Sequence, residues 1–154
     1  MDSTRVLIVD DNASLAESLA EFLSDEGFDV TRATSGAEAL STWRADPADL
    51  VVVDVDLPDI QGIKIARRLV RRSHDCLVVV MSARPPEEMV PLCRDLVAQF
   101  LPKPFSPRRL LATIRRVAQE HARKVAEARR PRPRLLLEVR TPRALLQFRS
   151  HRNT

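Results

Sequence analysis

Apolar residues fall in two alternating rhythms along the chain, short unbroken runs and stripes spaced three to four residues apart. The runs are RVLIVDD, FDVTRA, LVVVD at residues 50–54, CLVVVMS and QFLP. RVLIVDD, LVVVD and CLVVVMS read as strands because a continuous Val/Ile/Leu run bounded by turn residues is the signature of a strand buried in a parallel sheet, and FDVTRA and QFLP read as short second and fifth strands. Between them, Leu15, Leu19, Phe22 and Leu23, with Ala16 and Ala20, form a helical stripe that ends at Gly27. Residues 35–44 form a second helix with Ser35 as its cap. A third follows Gly62, with Ile63, Ile65, Ala66, Leu69 and Val70 inward and Arg67, Arg68, Arg71 and Arg72 on a solvated face. PEEMVPLCRDL predicts a weaker helix interrupted by Pro91, and Ser106 with Pro107 opens a long last helix. Trp43 falls by spacing on the outer side of its helix, as a packing residue. Five strand–helix units in series predict an α/β fold, a doubly wound five-stranded parallel sheet.

In such sheets ligands bind outside the carboxyl ends of the strands. The polar residues there form a set. Asp10 and Asp11 end the first strand, Asp54 the third and Ser82 the fourth, while Lys103 follows the fifth, before Pro104. Clustered carboxylates repel unless a divalent cation sits among them, and an oxygen-only ligand set suits Mg²⁺. Asp54 is then placed to attack phosphorus, with Mg²⁺, Ser82 and Lys103 holding the phosphoryl oxygens. The choice of Lys at 103 fits a compact point charge on a flexible stem, in a chain where only Lys64, Lys103 and Lys124 are lysine among 25 basic residues.

Composition narrows the alternatives. With 154 residues, 44% apolar and 30% charged, the chain holds one core of ordinary size. No apolar run approaches the ~20 residues of a membrane span, and the first residues, MDSTRVLIVDD, carry acids where a signal peptide is apolar, so a cytoplasmic protein is expected. Cys76 and Cys93 make no CxxC pair, and His74, His121 and His151 have no metal-binding spacing with them, which argues against zinc. The net charge of +4 is unevenly divided. Residues 1–117 carry 15 basic and 18 acidic side chains, a net −3, whereas residues 118–154 carry 10 and 3, a net +7. The basic character therefore belongs to the tail, not to the folded part.

LIVDDN, VVVDVDLPDIQG, VVMSA and FLPKPF, in this order, resemble the receiver domain of two-component response regulators over roughly residues 3–118. The resemblance implies a (βα)5, flavodoxin-like fold, with residues 1–120 as the receiver and 121–154 as a basic extension, partly helical and then disordered. It implies Asp54 as phosphoacceptor, Asp10 and Asp11 as Mg²⁺ ligands together with Asp54 and the backbone carbonyl of Asp56, Ser82 as switch hydroxyl and Lys103 as phosphoryl contact. Phe100 matches the switch aromatic, and Lys103–Pro104 the family's cis peptide. The implied partners are a sensor histidine kinase or phosphotransfer protein and a downstream protein, with a phosphorylation-linked homodimer and no membrane. The only chemistry implied is the gain and loss of the domain's own phosphoryl group. ARPPEEMVP and DLVAQF depart from the family pattern around the fourth helix, and Asp56 is less usual at its position.

Two other classes compete. DVDLP also fits the Asp-x-Asp nucleophile of haloacid dehalogenase-like phosphatases, but that chemistry needs further acids after the lysine. Beyond Lys103 the acids are Glu120, Glu127 and Glu138 alone, on the basic extension. The tail itself, RKVAEARRPRPRLLLEVRTPRALLQFRSHRNT, offers Arg for non-specific contact with nucleic-acid phosphates. It has one aromatic, Phe148, and no helix-turn-helix, so specific DNA recognition is not expected.

Overall fold

A computed structural model describes residues 3–94, 96 and 98–131 of the chain. Strands β1 (Arg5–Val9), β2 (Asp29–Ala33), β3 (Leu50–Asp54), β4 (Leu77–Ser82) and β5 (Gln99–Pro102) alternate with helices α1 (Ala13–Asp25), α2 (Gly36–Ala45), α3 (Gly62–Arg72), α4 (Pro86–Arg94) and α5 (Pro107–Arg129). All strand pairs are parallel, in the order β2-β1-β3-β4-β5. The order reverses between β1 and β3, and at such a switch point the loops diverge to leave a crevice. The expected doubly wound sheet is present.

Alternation along each strand sends side chains to opposite faces, so the sheet has two cores. Leu7, Val9, Val51, Val53, Val78 and Val80 pack against α2, α3 and α4. Val6, Ile8, Val52, Val79, Met81 and Leu101 pack against α1 and α5. Helix starts are held by caps. Asn12 Oδ1 accepts from Leu15 N–H, Ser35 Oγ from Glu38 N–H and Ser106 Oγ from Arg109 N–H, at 3.1, 3.1 and 3.2 Å. Gly27 follows α1 with φ of 97°, a left-handed turn that glycine adopts without strain.

Two expectations are corrected. Trp43 is 6% exposed and belongs to the core, because α2 turns Gly36, Ala39, Leu40 and Trp43 inward together. Pro91 does not interrupt α4, which runs through it. Proline there deletes one bond, to the carbonyl of exposed Glu87. Buried Met89 and Cys93 on either side pin the helix down.

Helix α5 continues through residue 120 to Arg129, with Arg130 as cap before Pro131. The tail segment expected to be disordered lies outside the described residues. Among the described residues, no helix is long and apolar enough to cross a membrane.

Candidate functional site

Register brings the polar residues together. Val9 lies beside Val53, Asp54 beside Met81 and Ser82 beside Pro102, so Asp10, Asp54, Ser82 and Lys103 leave the same edge of the sheet on neighbouring strands. Main-chain bonds extend this alignment past the strand ends. Asp10 N–H donates to the Ala33 carbonyl (3.1 Å), Val55 N–H to Met81 (3.0 Å) and Lys103 N–H to Ser82 (2.8 Å).

Gly62 brings the start of α3 against the back of Asp54. Its N–H donates to the Val55 carbonyl at 2.9 Å. A Cβ on Gly62 would collide with the Asp54 backbone carbonyl, so only glycine lets helix and strand approach this closely.

At the centre, Lys103 Nζ donates to Asp10 Oδ2 and to Asp54 Oδ2, each at 2.8 Å. Asp10 is fully buried, Asp54 nearly so, and Asp11 is exposed at the mouth. Burial alone would lower the lysine's pKa, but the hydrogen bonds and charges of the two carboxylates more than offset it and hold the ammonium above its ordinary value. One carboxylate oxygen from each of Asp10, Asp11 and Asp54 lies within 4.8 Å of the others. Three carboxylates and one ammonium leave a net charge of −2 in a small volume, and a hard divalent cation with oxygen ligands fits that donor set.

The remaining groups close the rim. Asp56 N–H donates to Asp54 Oδ1 at 3.0 Å, and Arg84 N–H to Ser82 Oγ at 3.0 Å. As Ser82 accepts that bond, its own O–H remains free to donate. Phe100 is half-buried against the α2–α4 core, and the Lys103–Pro104 peptide is cis.

Asp59, a residue of turn type in the sequence, accepts from Gly36 N–H (2.8 Å) and Ala37 N–H (2.9 Å) and so ties the β3–α3 loop to the start of α2. These bonds hold its pKa below the ordinary carboxylate value. The sequence left one partner unseen. Arg84 Nη2 meets Asp56 Oδ1 at 2.6 Å, joining the β3–α3 and β4–α4 loops across the rim. Its only sequence signal was its place two residues after Ser82, as Asp56 stands two after Asp54.

A five-stranded parallel sheet with an acidic cluster and a lysine at the carboxyl edge defines the class of response regulator receivers. The response regulator receiver domain family matches residues 6–115, and the chain belongs to that family. It is similar to the response regulator MprA of Mycobacterium tuberculosis, with 37% identity over 114 residues, 73% of this chain and 50% of that protein. The chain thus spans about half the length of the curated relatives it matches.

Among solved structures, chemotaxis protein CheY4 of Vibrio cholerae superposes with a TM-score of 0.71 and 28% identity, covering 75% of this chain and 99% of that one. NtrX of Brucella abortus gives 0.75 and 25%, over 82% of this chain and 29% of that one. Family membership sets the phosphatase alternative aside. Among the described residues after Lys103 the only acids, Glu120 and Glu127, lie on α5.

Proposed function

We propose that Asp54 accepts a phosphoryl group from a sensor histidine kinase or phosphotransfer protein and that the altered surface is read by a downstream protein. The observation that carries this reading is the Lys103 ammonium placed 2.8 Å from both Asp10 and Asp54. An Asp54 carboxylate oxygen attacks phosphorus as the N–P bond of the donor phosphohistidine breaks. The electron pair returns to the imidazole, and an acyl phosphate remains on Asp54. Lys103 is positioned to exchange a carboxylate contact for a phosphoryl oxygen, and the free O–H of Ser82 to donate to another.

Asp10, Asp11 and Asp54, with the backbone carbonyl of Asp56, would hold Mg²⁺. Bound there, the ion supplies charge neutralisation for the phosphoryl oxygens. In this reading Ser82 moving toward the phosphoryl group frees space for Phe100 to turn inward, which changes the surface beside β5. The protein's only chemistry is on its own side chain, and its place is the cytoplasm.

Labelling from acetyl phosphate or a cognate kinase, and beryllofluoride binding with Mg²⁺, test the assignment. Asp54→Asn is expected to abolish both while the fold persists. Label retained on the variant would show that Asp54 is not the acceptor.

A further inference from the structure

Helices α1 and α3 each carry charges of a single sign. In α1 the charged residues are Glu17, Glu21 and Asp25, with no Lys or Arg, and in α3 they are Lys64, Arg67, Arg68, Arg71 and Arg72, with no acid. All are exposed except half-buried Arg67. Glu17, Glu21 and Asp25 recur every fourth residue, as do Lys64, Arg68 and Arg72, so each set forms a row about 12 Å long down the outer side of its helix. Burial of Ala16, Leu19 and Leu23 in one helix, and of Ile63, Ile65, Ala66 and Leu69 in the other, fixes which way the rows face.

Neither row is relieved within the fold. Like charges four residues apart repel each other along a helix. Among the described residues, the ion pairs include none of these eight side chains. Asp25 stands in the last turn of α1 and Lys64 in the first turn of α3, each of the wrong sign for its helix dipole there. Arg32 of edge strand β2 shares a groove with the three acids, which leaves that groove net negative. One kind of partner relieves both helices: a helix bearing the opposite row at the same spacing, and every copy of this chain has one of each.

We infer that α3 of one copy docks antiparallel against α1 of another, with Lys64 facing Asp25, Arg68 facing Glu21 and Arg72 facing Glu17. In that alignment the two charges that oppose their own dipoles meet each other. Helices α1 and α3 cover opposite faces of the sheet, so a copy cannot offer both to one neighbour. The contact is therefore heterologous and passes from copy to copy as an open chain. It uses no group of the phosphoryl site and stands whether or not Asp54 is the acceptor. Exposed pairs are individually weak, which makes the association reversible and salt-sensitive. A nucleic acid is another polyanion that an arginine row could hold, but it would also meet residues 1–117, whose net charge is −3.

The experiment follows the unphosphorylated full-length chain by small-angle X-ray scattering over a concentration series, without beryllofluoride. Mean mass is expected to rise with concentration at low salt and to return to that of the monomer at about 0.5 M salt, where screening acts within a few ångström. The variant Lys64→Gln, Arg68→Gln, Arg72→Gln and the variant Glu17→Gln, Glu21→Gln, Asp25→Asn are each expected to associate at least about tenfold more weakly. Mixed, the two regain the parent's affinity but stop at a single pair, because one offers only its acidic row and the other only its basic row. That recovery also shows both variants to be folded, and the parent's salt response tests the contact even where a substitution harms folding.

A parent that stays monomeric up to about 1 mM, the weak end of the affinity scale, overturns the inference. Association at parental strength in either variant alone does the same, since the row left intact then has a different partner, such as the basic extension for the acids. A mixture that remains monomeric, or that grows beyond the pair, also counts against it. Duplex DNA bound by a monomeric parent, and released on Lys64→Gln, Arg68→Gln, Arg72→Gln, would reassign α3 to nucleic acid.

Discussion

Cys76 shows how a residue remote from the site responds to its surroundings. Burial pushes its thiol up to about 11, the Trp43 indole pulls slightly the other way, and nearby Asp49 adds to the rise. Trp43 Nε1 itself completes no hydrogen bond, so its pull on the thiol is a weak dipolar one. The folded state thus holds the Cys76 proton more tightly than the unfolded chain does. This contribution is complete below pH 9, the thiol's ordinary value, and is lost as pH rises through about 11. Lys103 also has a raised pKa and adds a loss of the same sign at higher pH. Urea unfolding of parent and Cys76→Ala across pH 8–11 isolates the cysteine's share. The parent is expected to lose about 2 kcal/mol more than the variant over that range, whatever constant cost the missing sulfur imposes. Parallel pH curves for the two proteins refute the account.

The same residue scale shows what a sequence conveys about a site. Asp10, Asp54, Ser82 and Lys103 were legible because each ends or follows an apolar run, and parallel register aligns such ends without further information. Arg84 and Asp59 were not. Their partners, Asp56 in one case and the Gly36 and Ala37 amides in the other, are set by loop paths that no periodicity encodes.

Among the elements, strands were the most readable and α2 and α4 the least. A run such as LVVVD permits one interpretation, whereas α2 is only ten residues long and mostly small or polar, so its phase is poorly defined and Trp43 was turned the wrong way. In α4, proline's propensity lost to the packing of Met89 and Cys93. The junction of β3 and α3 is the element contact on which the site depends most. Gly62→Ala is expected to cost about 2–4 kcal/mol in urea unfolding, since its Cβ meets backbone, not a movable side chain. It is also expected to slow labelling, because the carbonyl displaced is that of Asp54. Gly27→Ala serves as comparison. Its φ of 97° makes alanine strained in open space, for about 1 kcal/mol and no effect on labelling. Equal labelling in the two variants would separate the α3 start from the chemistry.

For the whole molecule, α4 presents Glu87 and Glu88 together with exposed Val90 and Leu92, and α5 presents Arg108 and Arg109. A two-fold axis beside β5 would set the acids of one copy against the arginines of the other. Asp95, a third acid in this pattern, lies outside the described residues. Arg115 and Arg116 already have partners within the chain, Glu26 at 3.5 Å and Gln99 at 3.1 Å. Arg108 and Arg109 therefore carry the expectation. Sedimentation velocity is expected to show association with beryllofluoride and Mg²⁺ that Arg108→Glu with Arg109→Glu weakens several-fold. A monomer under both conditions, or a dimer indifferent to the substitutions, counts against this surface.

Helix α5 carries a consequence of a different kind. Its last buried residue is Val117, yet it runs on to Arg129, twelve residues further. At about 1.5 Å and 100° per residue, that length is a rod of about 18 Å whose far end has a defined bearing about its own axis. Substituting one exposed side chain for another leaves the bearing unchanged, whereas deleting a single residue between Val117 and Arg129 rotates it by more than a quarter turn. In this segment the number of residues is therefore a stronger constraint than their identity. Insertions and deletions there are expected to be as disruptive to anything aligned with the helix end as substitutions are mild.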